Sequence, residues 1–177
     1  MFRHSCGLSG VARLLLVTAG FLRSVLSANA QAVSNSTYLR EYVFIAPTTD
    51  TMSTGTQSAY AVGGGIEQLL PKQFGAGLDL QALIPGSGKA NRTVGVACFN
   101  GSFHPIFKPT WDLFVTGGYS FIFRDFTANG FNFGGGLNYW IRENKGITLE
   151  LREVAGKHTP QLVENHYLEV RIGLTFR

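Results

Sequence analysis

Histidines are the side chains of this sequence best suited to acid–base and nucleophilic chemistry. His104 lies beside Pro105, and His158 and His166 flank Glu164. Hydrolysis by a serine nucleophile requires a serine, a histidine and a carboxylate within hydrogen-bond reach of one another. His104 falls in a predicted turn and His158 in a predicted loop, where histidines are most often solvated. We therefore expect no catalytic residue among them.

Metal and cofactor sites are equally hard to assemble from these residue types. His158 and His166 are eight positions apart and have no third ligand at a metal-binding spacing. The glycine clusters at 63–65 and 134–136 are followed neither by a helical pattern nor by Gly-Lys-Ser/Thr, so they are not phosphate-binding loops. Cys98 is the single cysteine after residue 30, so it has no disulfide partner there and is expected on the apolar face of a strand. We expect no metal, no cofactor and no disulfide.

The N-terminal segment has the layout of a secretory signal peptide. Arg3 and Arg13 precede the apolar run 14–22, and the small-residue site Ala28-Asn29-Ala30 follows it. The apolar run is shorter than the roughly 20 residues that a membrane-spanning helix needs. The prediction is a signal peptide over residues 1–30 and one exported domain over residues 31–177, with an uncleaved amphipathic anchor as the alternative.

The positive charge of the sequence is concentrated in that leader. The 177 residues carry a formal charge of +4, but residues 31–177 carry only +1. No basic patch therefore remains for a nucleic acid, and we expect no nucleic-acid partner. Hydrophobic residues make up 45% of the sequence and charged residues 15%, a balance that excludes a disordered chain.

Beyond about position 40 the dominant pattern is a strict alternation of apolar and other residues, which is typical of strands. In the segment 74–84 the even positions are Phe, Ala, Leu, Leu, Ala and Ile, whereas the odd positions are Gly, Gly, Asp, Gln and Leu. This pattern predicts eight strands, near residues 40–46, 58–69, 74–84, 92–103, 111–124, 131–141, 147–154 and 168–176.

The connections between these strands alternate in character. Short turns are predicted at 71–72, 104–110 and 143–146, and longer loops at 47–57, 85–91, 125–130 and 155–165. Within the third of these loops, Asn129-Gly130 is a dipeptide typical of a tight hairpin. Short turns on one side, longer loops on the other and an even strand count predict an all-β, eight-stranded antiparallel up-and-down β-barrel.

The two faces of the predicted strands indicate that the barrel spans a membrane. A soluble barrel turns its apolar face inward, whereas an outer-membrane barrel turns it outward. The other face is rich in glycine, which relieves crowding inside a lumen of eight strands. These glycines are Gly63, Gly65, Gly75, Gly77, Gly118, Gly134, Gly136 and Gly173.

Aromatic residues of the apolar face group near the strand ends, as expected where rings meet the two headgroup regions of a bilayer. The group near the short turns comprises Phe74, Trp111, Tyr139 and Phe176. The group near the longer loops comprises Tyr60, Phe121, Phe123, Phe131 and Phe133. The alternative is that these rings form the core of a soluble barrel.

The glycine-rich face also carries a few charges of both signs. They are Glu67, Asp79, Asp112, Arg124, Glu150, Arg152, Glu169 and Arg171. Inside a narrow lumen an unpaired charge would be very costly, so these side chains must pair or stay hydrated. We predict a structural network that fills the lumen, with a gated conduit as the alternative.

Two segments resemble a known family. The terminal sequence Tyr-Leu-Glu-Val-Arg-Ile-Gly-Leu-Thr-Phe-Arg at 167–177 resembles the C-terminal sorting strand of bacterial outer-membrane proteins, although Arg177 follows the aromatic Phe176. Phe-Gly-Gly-Gly-Leu-Asn-Tyr-Trp-Ile at 133–141, with Gly-Ile-Thr-Leu-Glu-Leu-Arg at 146–152, resembles the late hairpin of OmpA-like β-barrel domains. The resemblance implies a Gram-negative outer-membrane protein, exported through the Sec pathway and inserted by the barrel assembly machinery.

The expected role is structural. We expect a monomer surrounded by outer-membrane lipid and lipopolysaccharide, which supports membrane integrity or makes surface contacts through its longer loops, and is not an enzyme. One alternative is a secreted soluble β-barrel that carries an apolar ligand. Another is a lipid A-modifying enzyme, because some eight-stranded outer-membrane barrels are deacylases or acyltransferases; against it, the residues 158–160 lack the His-x-Ser spacing of the deacylases.

Overall fold

The computed structural model of the chain describes residues 38–52, 55–86, 93–123, 127–158 and 163–177. The predicted signal peptide at 1–30 and the predicted lumen residue Arg124 lie outside the described residues. No helix within the described ranges is long and apolar enough to cross a membrane.

Eight strands form one closed antiparallel barrel, in which each strand pairs with the next and the last pairs with the first. The predicted fold class is therefore confirmed. The strands are β1 (Leu39–Met52), β2 (Gly55–Leu69), β3 (Phe74–Pro85), β4 (Val94–Phe107), β5 (Trp111–Phe123), β6 (Thr127–Arg142), β7 (Lys145–His158) and β8 (Val163–Phe176), with a short 3-10 helix at Pro71–Gln73 between β2 and β3. We call the end that holds Pro71–Gln73 the turn end, and the opposite end the loop end.

Several predicted loops are wrong because the strands continue through them. The loop predicted at 47–57 is mostly strand, since β1 runs to Met52 and β2 begins at Gly55. The loop predicted at 155–165 is shortened in the same way by β7 and β8. Threonine-rich segments such as 47–52 suit an extended backbone as well as a loop. The hydrogen-bonded pairing of β1 with β2 therefore continues to the loop end.

The predicted hairpin at Asn129-Gly130 is also wrong. Both residues lie inside β6, where Asn129 pairs with Phe121 and Gly130 pairs with Ser120. The alternation of lumen-facing and outward residues continues through them, since Asn129 is exposed and Gly130 is buried. A dipeptide with strong turn propensity is thus overridden by pairing on both sides.

The turn predicted at 104–110 begins too early. β4 continues to Phe107, and the register between β4 and β5 shifts between Phe103 and Ile106. Pro105 lacks a backbone N–H, and a bulge leaves one residue out of the ladder, so the proline is accommodated without ending the strand. The alternation that buries Ser102 and exposes Phe103 also turns His104 into the barrel.

The last residue closes the turn end. The Arg177 guanidinium lies over the Trp140 ring, 4.2 Å from its centroid. Its Nε donates to the Glu143 carbonyl at 2.5 Å and one terminal nitrogen donates to the Pro109 carbonyl at 3.3 Å. Arg177 thereby links the end of β8 to the β4–β5 turn and the β6–β7 turn.

Candidate functional site: the barrel interior

Paired charged side chains lie inside this barrel, and large apolar side chains cover its outer wall. Asp79 and Asp112 are fully buried and Arg171 is 1% exposed, whereas Ile45 is 65% and Phe131 is 69% exposed. A continuous apolar exterior of this kind would be an aggregation hazard in water, but it matches the lipid-facing band of a membrane barrel.

The predicted aromatic groups lie on that exterior. Near the turn end, Phe74 and Tyr139 are both exposed by more than half of their surface. Near the loop end, Tyr60 and Phe133 are exposed to the same degree. The two groups thus lie at two heights on the outer wall, as expected for the two headgroup regions of a lipid bilayer.

A polar network fills the lumen near the turn end. We call it the base cluster; it comprises Arg40, Glu67, Ser102, His104, Asp112 and Asn138. Arg40 forms an ion pair with Glu67 and lies 3.8 Å from Asp112. Asn138 donates to Asp112 Oδ1 at 2.8 Å. Because five of the strands supply these groups, the base cluster links much of the circumference of the barrel.

His104 is buried in the base cluster, so its predicted position as a solvated turn residue is wrong. Its Nδ1 lies 3.1 Å from Asp112 Oδ1, and its Nε2 lies 3.4 Å from Glu67 Oε1. Two carboxylates thus flank the two ring nitrogens.

The same residues lie in the order of a hydrolase triad. Ser102 Oγ is 3.4 Å from His104 Nε2, and His104 Nδ1 faces Asp112. However, the Ser102 hydroxyl donates to the Glu67 carboxylate, so its proton is not directed at the imidazole. Ser102 is also buried. A nucleophile needs a free base and access to substrate, and the geometry of these groups supplies neither.

A second network, the middle cluster, lies further along the lumen. It comprises Asp79, Glu150, Arg152, Glu169 and Arg171, with Tyr42, Gln81 and Asn100. Arg152 pairs with Asp79 and with Glu150. Arg171 pairs with Glu169 at 2.7 Å and lies 3.6 Å from both Asp79 and Glu150.

Uncharged side chains add hydrogen bonds to the middle cluster. Gln81 donates to Glu169 at 2.7 Å and accepts from Arg171 at 2.9 Å. Tyr42 and Asn100 both donate to Asp79. Buried charges are tolerated when they are paired and hydrogen-bonded. Every charge of the middle cluster has an ion-pair partner, although Arg171 Nη1 and Asn100 Oδ1 form no hydrogen bond with the described residues.

Seven of the eight predicted lumen charges lie in these clusters, and Arg124 lies outside the described residues. Sequence reasoning missed Arg40 and His104. Arg40 was hidden because β1 is apolar on both faces, as Tyr42 and Phe44 also point inward. Together the two clusters hold five carboxylates, three guanidiniums and one imidazole.

Near the loop end the lumen is apolar, which the alternation pattern did not predict. We call this group the apolar plug; it comprises Phe44, Ala46, Ala61, Leu83, Val94, Val96, Cys98, Ile122, Ala128, Val154 and Tyr167. Cys98 therefore faces the lumen, and the prediction that it lies on the outer apolar face is wrong. The Arg171 guanidinium lies 4.2 Å from the Phe44 ring centroid, so the plug rests directly on the middle cluster.

The interior is filled rather than open. Between the two clusters, a cavity lined by Arg40, Tyr42, Glu67 and Asn100, among others, has a volume of about 20 Å³. That is room for about one water molecule. No group of three or more described histidine, cysteine or acidic residues is arranged to hold a metal ion.

Comparison with known proteins identifies the fold class. No protein-family model matches the chain, and no curated protein matches it significantly by sequence. Neisserial surface protein A superposes with a TM-score of 0.69 at 8% identity, covering 82% of this chain and 99% of that one.

Two barrels from Pseudomonas aeruginosa are also similar. The outer membrane protein OprG gives a TM-score of 0.51 at 10% identity, over 84% of this chain and 98% of that chain. The N-terminal β-barrel domain of OprF gives 0.50 at 16% identity, over 76% and 96%. At these identities the likeness concerns the fold: the chain has the fold of eight-stranded outer-membrane β-barrels.

Proposed function

We propose that this protein is a structural β-barrel of a bacterial outer membrane, of the OmpA-like kind, with a closed lumen and no catalytic activity. The observation that carries the proposal is the inverted distribution of polarity: Asp79, Asp112 and Arg171 are buried inside, while large apolar side chains such as Ile45 and Phe131 are exposed on the outer wall. In lipid, closure of the sheet satisfies the backbone hydrogen bonds of the spanning strands.

The distribution of polarity opposes a secreted carrier of an apolar ligand. Such a carrier would need an apolar cavity inside and a charged surface outside. Here the interior holds two ion-pair clusters, and the apolar plug is packed. The exposed wall carries residues such as Leu151 and Ile172, both more than half exposed.

The filled interior also opposes a conduit. An ion would have to cross the base cluster, the middle cluster and then the apolar plug. Hydrophobic constrictions exclude water and ions, and Val96, Cys98 and Val154 are at most 2% exposed. We therefore propose a role in membrane integrity or in contacts made by exposed polar residues at the loop end, such as Thr51, Gln57 and His166.

Catalysis is opposed by the geometry around Ser102. Its hydroxyl donates to Glu67, and His104 is held between two carboxylates. A lipid A-modifying enzyme would also need its reactive groups to meet a lipid substrate, and these groups face the lumen. An organophosphorus ester should leave Ser102 unmodified in the folded barrel.

The proposal includes the route to the membrane. Residues 1–30 would be removed after export, and residues 31–177 would be inserted by the barrel assembly machinery as a monomer. Support comes from β8, which ends at the aromatic Phe176. Phe176 has the same strand parity as the outward-facing Ile172 and Leu174, as expected for the aromatic residue of a sorting strand. Lipopolysaccharide and outer-membrane phospholipid would be its surroundings.

Cell fractionation tests this proposal. We expect the full chain, expressed in a Gram-negative bacterium, to appear in the outer-membrane fraction with an N-terminus at Gln31, as read by mass spectrometry. A variant that lacks residues 1–30 is the control and should stay out of the envelope. A wild-type product that is soluble in the periplasm or medium would refute the membrane assignment and favour the carrier.

A further inference from the structure

The seam between the first and last strands is interrupted on the barrel wall. β1 and β8 pair as far as Ile45 with Ile172, and pairing resumes at Thr48 with Glu169 in the same register. Between these pairs, Ala46 and Pro47 of β1 have no partner in β8. β1 and β2 pair without interruption through Pro47, so the gap affects one side of β1 alone.

The alternation of the ladder shows which hydrogen bond is lost. Successive residues of an antiparallel strand direct their backbone groups to opposite neighbours. The Tyr38 carbonyl accepts from Leu69 of β2 at 2.9 Å, so even positions of β1 bond to β2 and odd positions, including Pro47, point to β8. Proline has no N–H. The carbonyl opposite it, that of Val170, therefore has no donor in the ladder.

The interruption lies on the wall that faces lipid. Val170 is 42% exposed, and Pro47 is exposed beside it. On β2 the residue opposite Pro47 is Tyr60, which belongs to the aromatic group near the loop end. Aromatic groups of this kind mark the boundary between hydrocarbon and headgroups. A backbone carbonyl that lacks a donor in the ladder has no water to replace it next to hydrocarbon.

A groove opens on the wall at this point. Its volume is about 260 Å³, and its lining includes Pro47, Thr49, Ser58, Tyr60, Leu168 and Val170. Leu168 and Val170 supply an aliphatic floor, whereas Thr49, Ser58 and Tyr60 supply hydroxyl groups. The groove therefore offers both aliphatic and hydroxyl groups, which suit the region of a lipid where the acyl chain meets the headgroup.

We propose that this seam groove binds one lipid by the polar end of its acyl chain, with a hydroxyl of the lipid donating to the Val170 carbonyl. The inference rests on the proposed function, because the groove meets lipid only when the barrel is in a membrane. The lipid must supply a hydrogen-bond donor because Pro47 has no N–H. It must also supply an acyl chain because Leu168 and Val170 offer an aliphatic surface.

Photolabelling tests the proposal. The barrel is folded into vesicles of phosphatidylglycerol in which a fraction of the lipid carries a diazirine near the carbonyl end of one acyl chain. Mass spectrometry then maps the adducts. We expect roughly fivefold more label in 47–49 and 168–170 than at Phe121 and Phe133, the ratio that a hydrogen bond of about 1 kcal/mol produces.

A second lipid tests the donor. The same diazirine chain is presented in phosphatidylcholine, whose headgroup has no hydroxyl donor. The preference for the seam should fall to the level of the opposite wall. An equal preference in both lipids would show that the Val170 carbonyl does not select the ligand and would overturn the proposal.

Three variants complete the test. Pro47→Val restores the missing N–H and should remove the preference for the seam, while Thr49→Trp should fill the groove with the same result. Asn129→Trp is the matched control, since Asn129 is an exposed residue of β6 near the loop end, and should leave the preference unchanged.

The outcomes separate this inference from the proposed function. Uniform labelling around an inserted barrel would overturn the lipid site alone. A chain that fails to insert into the vesicles, and therefore takes no label on either wall, would contradict the membrane assignment itself.

Discussion

At the scale of single residues, Arg152 is the group on which the middle cluster most depends. It pairs with Asp79 and Glu150 in the closed interior. Removal of one partner of a buried ion pair leaves the opposite charge unpaired, which costs about 3–5 kcal/mol. We expect Arg152→Met to lower the free energy of unfolding by about 3 kcal/mol, measured by urea titration in vesicles.

The control for this change is Lys145→Met, at an exposed position of the turn end. Surface substitutions usually change stability by less than about 0.5 kcal/mol. If Arg152→Met were no more destabilising than Lys145→Met, the middle cluster would not stabilise the barrel and the structural interpretation of the lumen charges would be wrong.

Glycine has a steric role at position 65. A Cβ there would lie 2.5 Å from the Leu78 carbonyl, 2.6 Å from Asp79 Oδ1 and 2.7 Å from the Tyr42 hydroxyl. Overpacking costs about 1–3 kcal/mol, so Gly65→Ala should be destabilising by that amount in the same titration. Gly101→Ala is the matched control, because its nearest neighbour would be the Gly117 carbonyl at 3.9 Å. Equal stability of the two variants would contradict the steric role.

At the scale of elements, the terminal residue stabilises the turn end of the barrel. Arg177 covers the Trp140 ring and donates to two turn carbonyls. Arg177→Ala, in a Trp111→Phe background, should expose Trp140 and increase the quenching of its fluorescence by acrylamide. Arg142→Ala serves as the control. Unchanged quenching would mean that Arg177 does not cover the ring in the folded barrel.

The parity of strand residues was predictable from the sequence, whereas strand ends were not. The alternation around Asp79 and Glu169 gives their inward direction because side chains of a strand alternate strictly between faces. The extension of β1 through Thr49 was missed because threonine suits both strands and loops. His104 was misplaced because Pro105 indicates a turn in isolation, while a bulge admits proline within a strand.

The apolar plug was not predictable because alternation reports only the contrast between the faces. Val96, Ile122 and Val154 lie on the inward face. Which face such apolar residues occupy is ambiguous until the depth of each strand in the barrel is known. Register, which depends on all eight strands together, supplies that depth.

At the scale of the whole molecule, the interior should not conduct ions. The two clusters and the apolar plug occupy the lumen in series, with a cavity of only about 20 Å³ between the clusters. In planar lipid bilayers we expect no stepwise conductance from the folded wild-type barrel, with a known porin as the positive control. Reproducible unitary steps would contradict the closed lumen and favour a gated conduit.

The central claim is that the chain is a closed barrel with a lipid-facing exterior, and heat-modifiability tests it most directly. Membrane fractions are run on a denaturing gel with and without boiling. A closed barrel keeps its hydrogen-bonded sheet in detergent, so we predict a compact, faster band in the unboiled sample that shifts to the full-length position on boiling. A single band at the same position in both samples, recovered from the soluble fraction, would contradict the account.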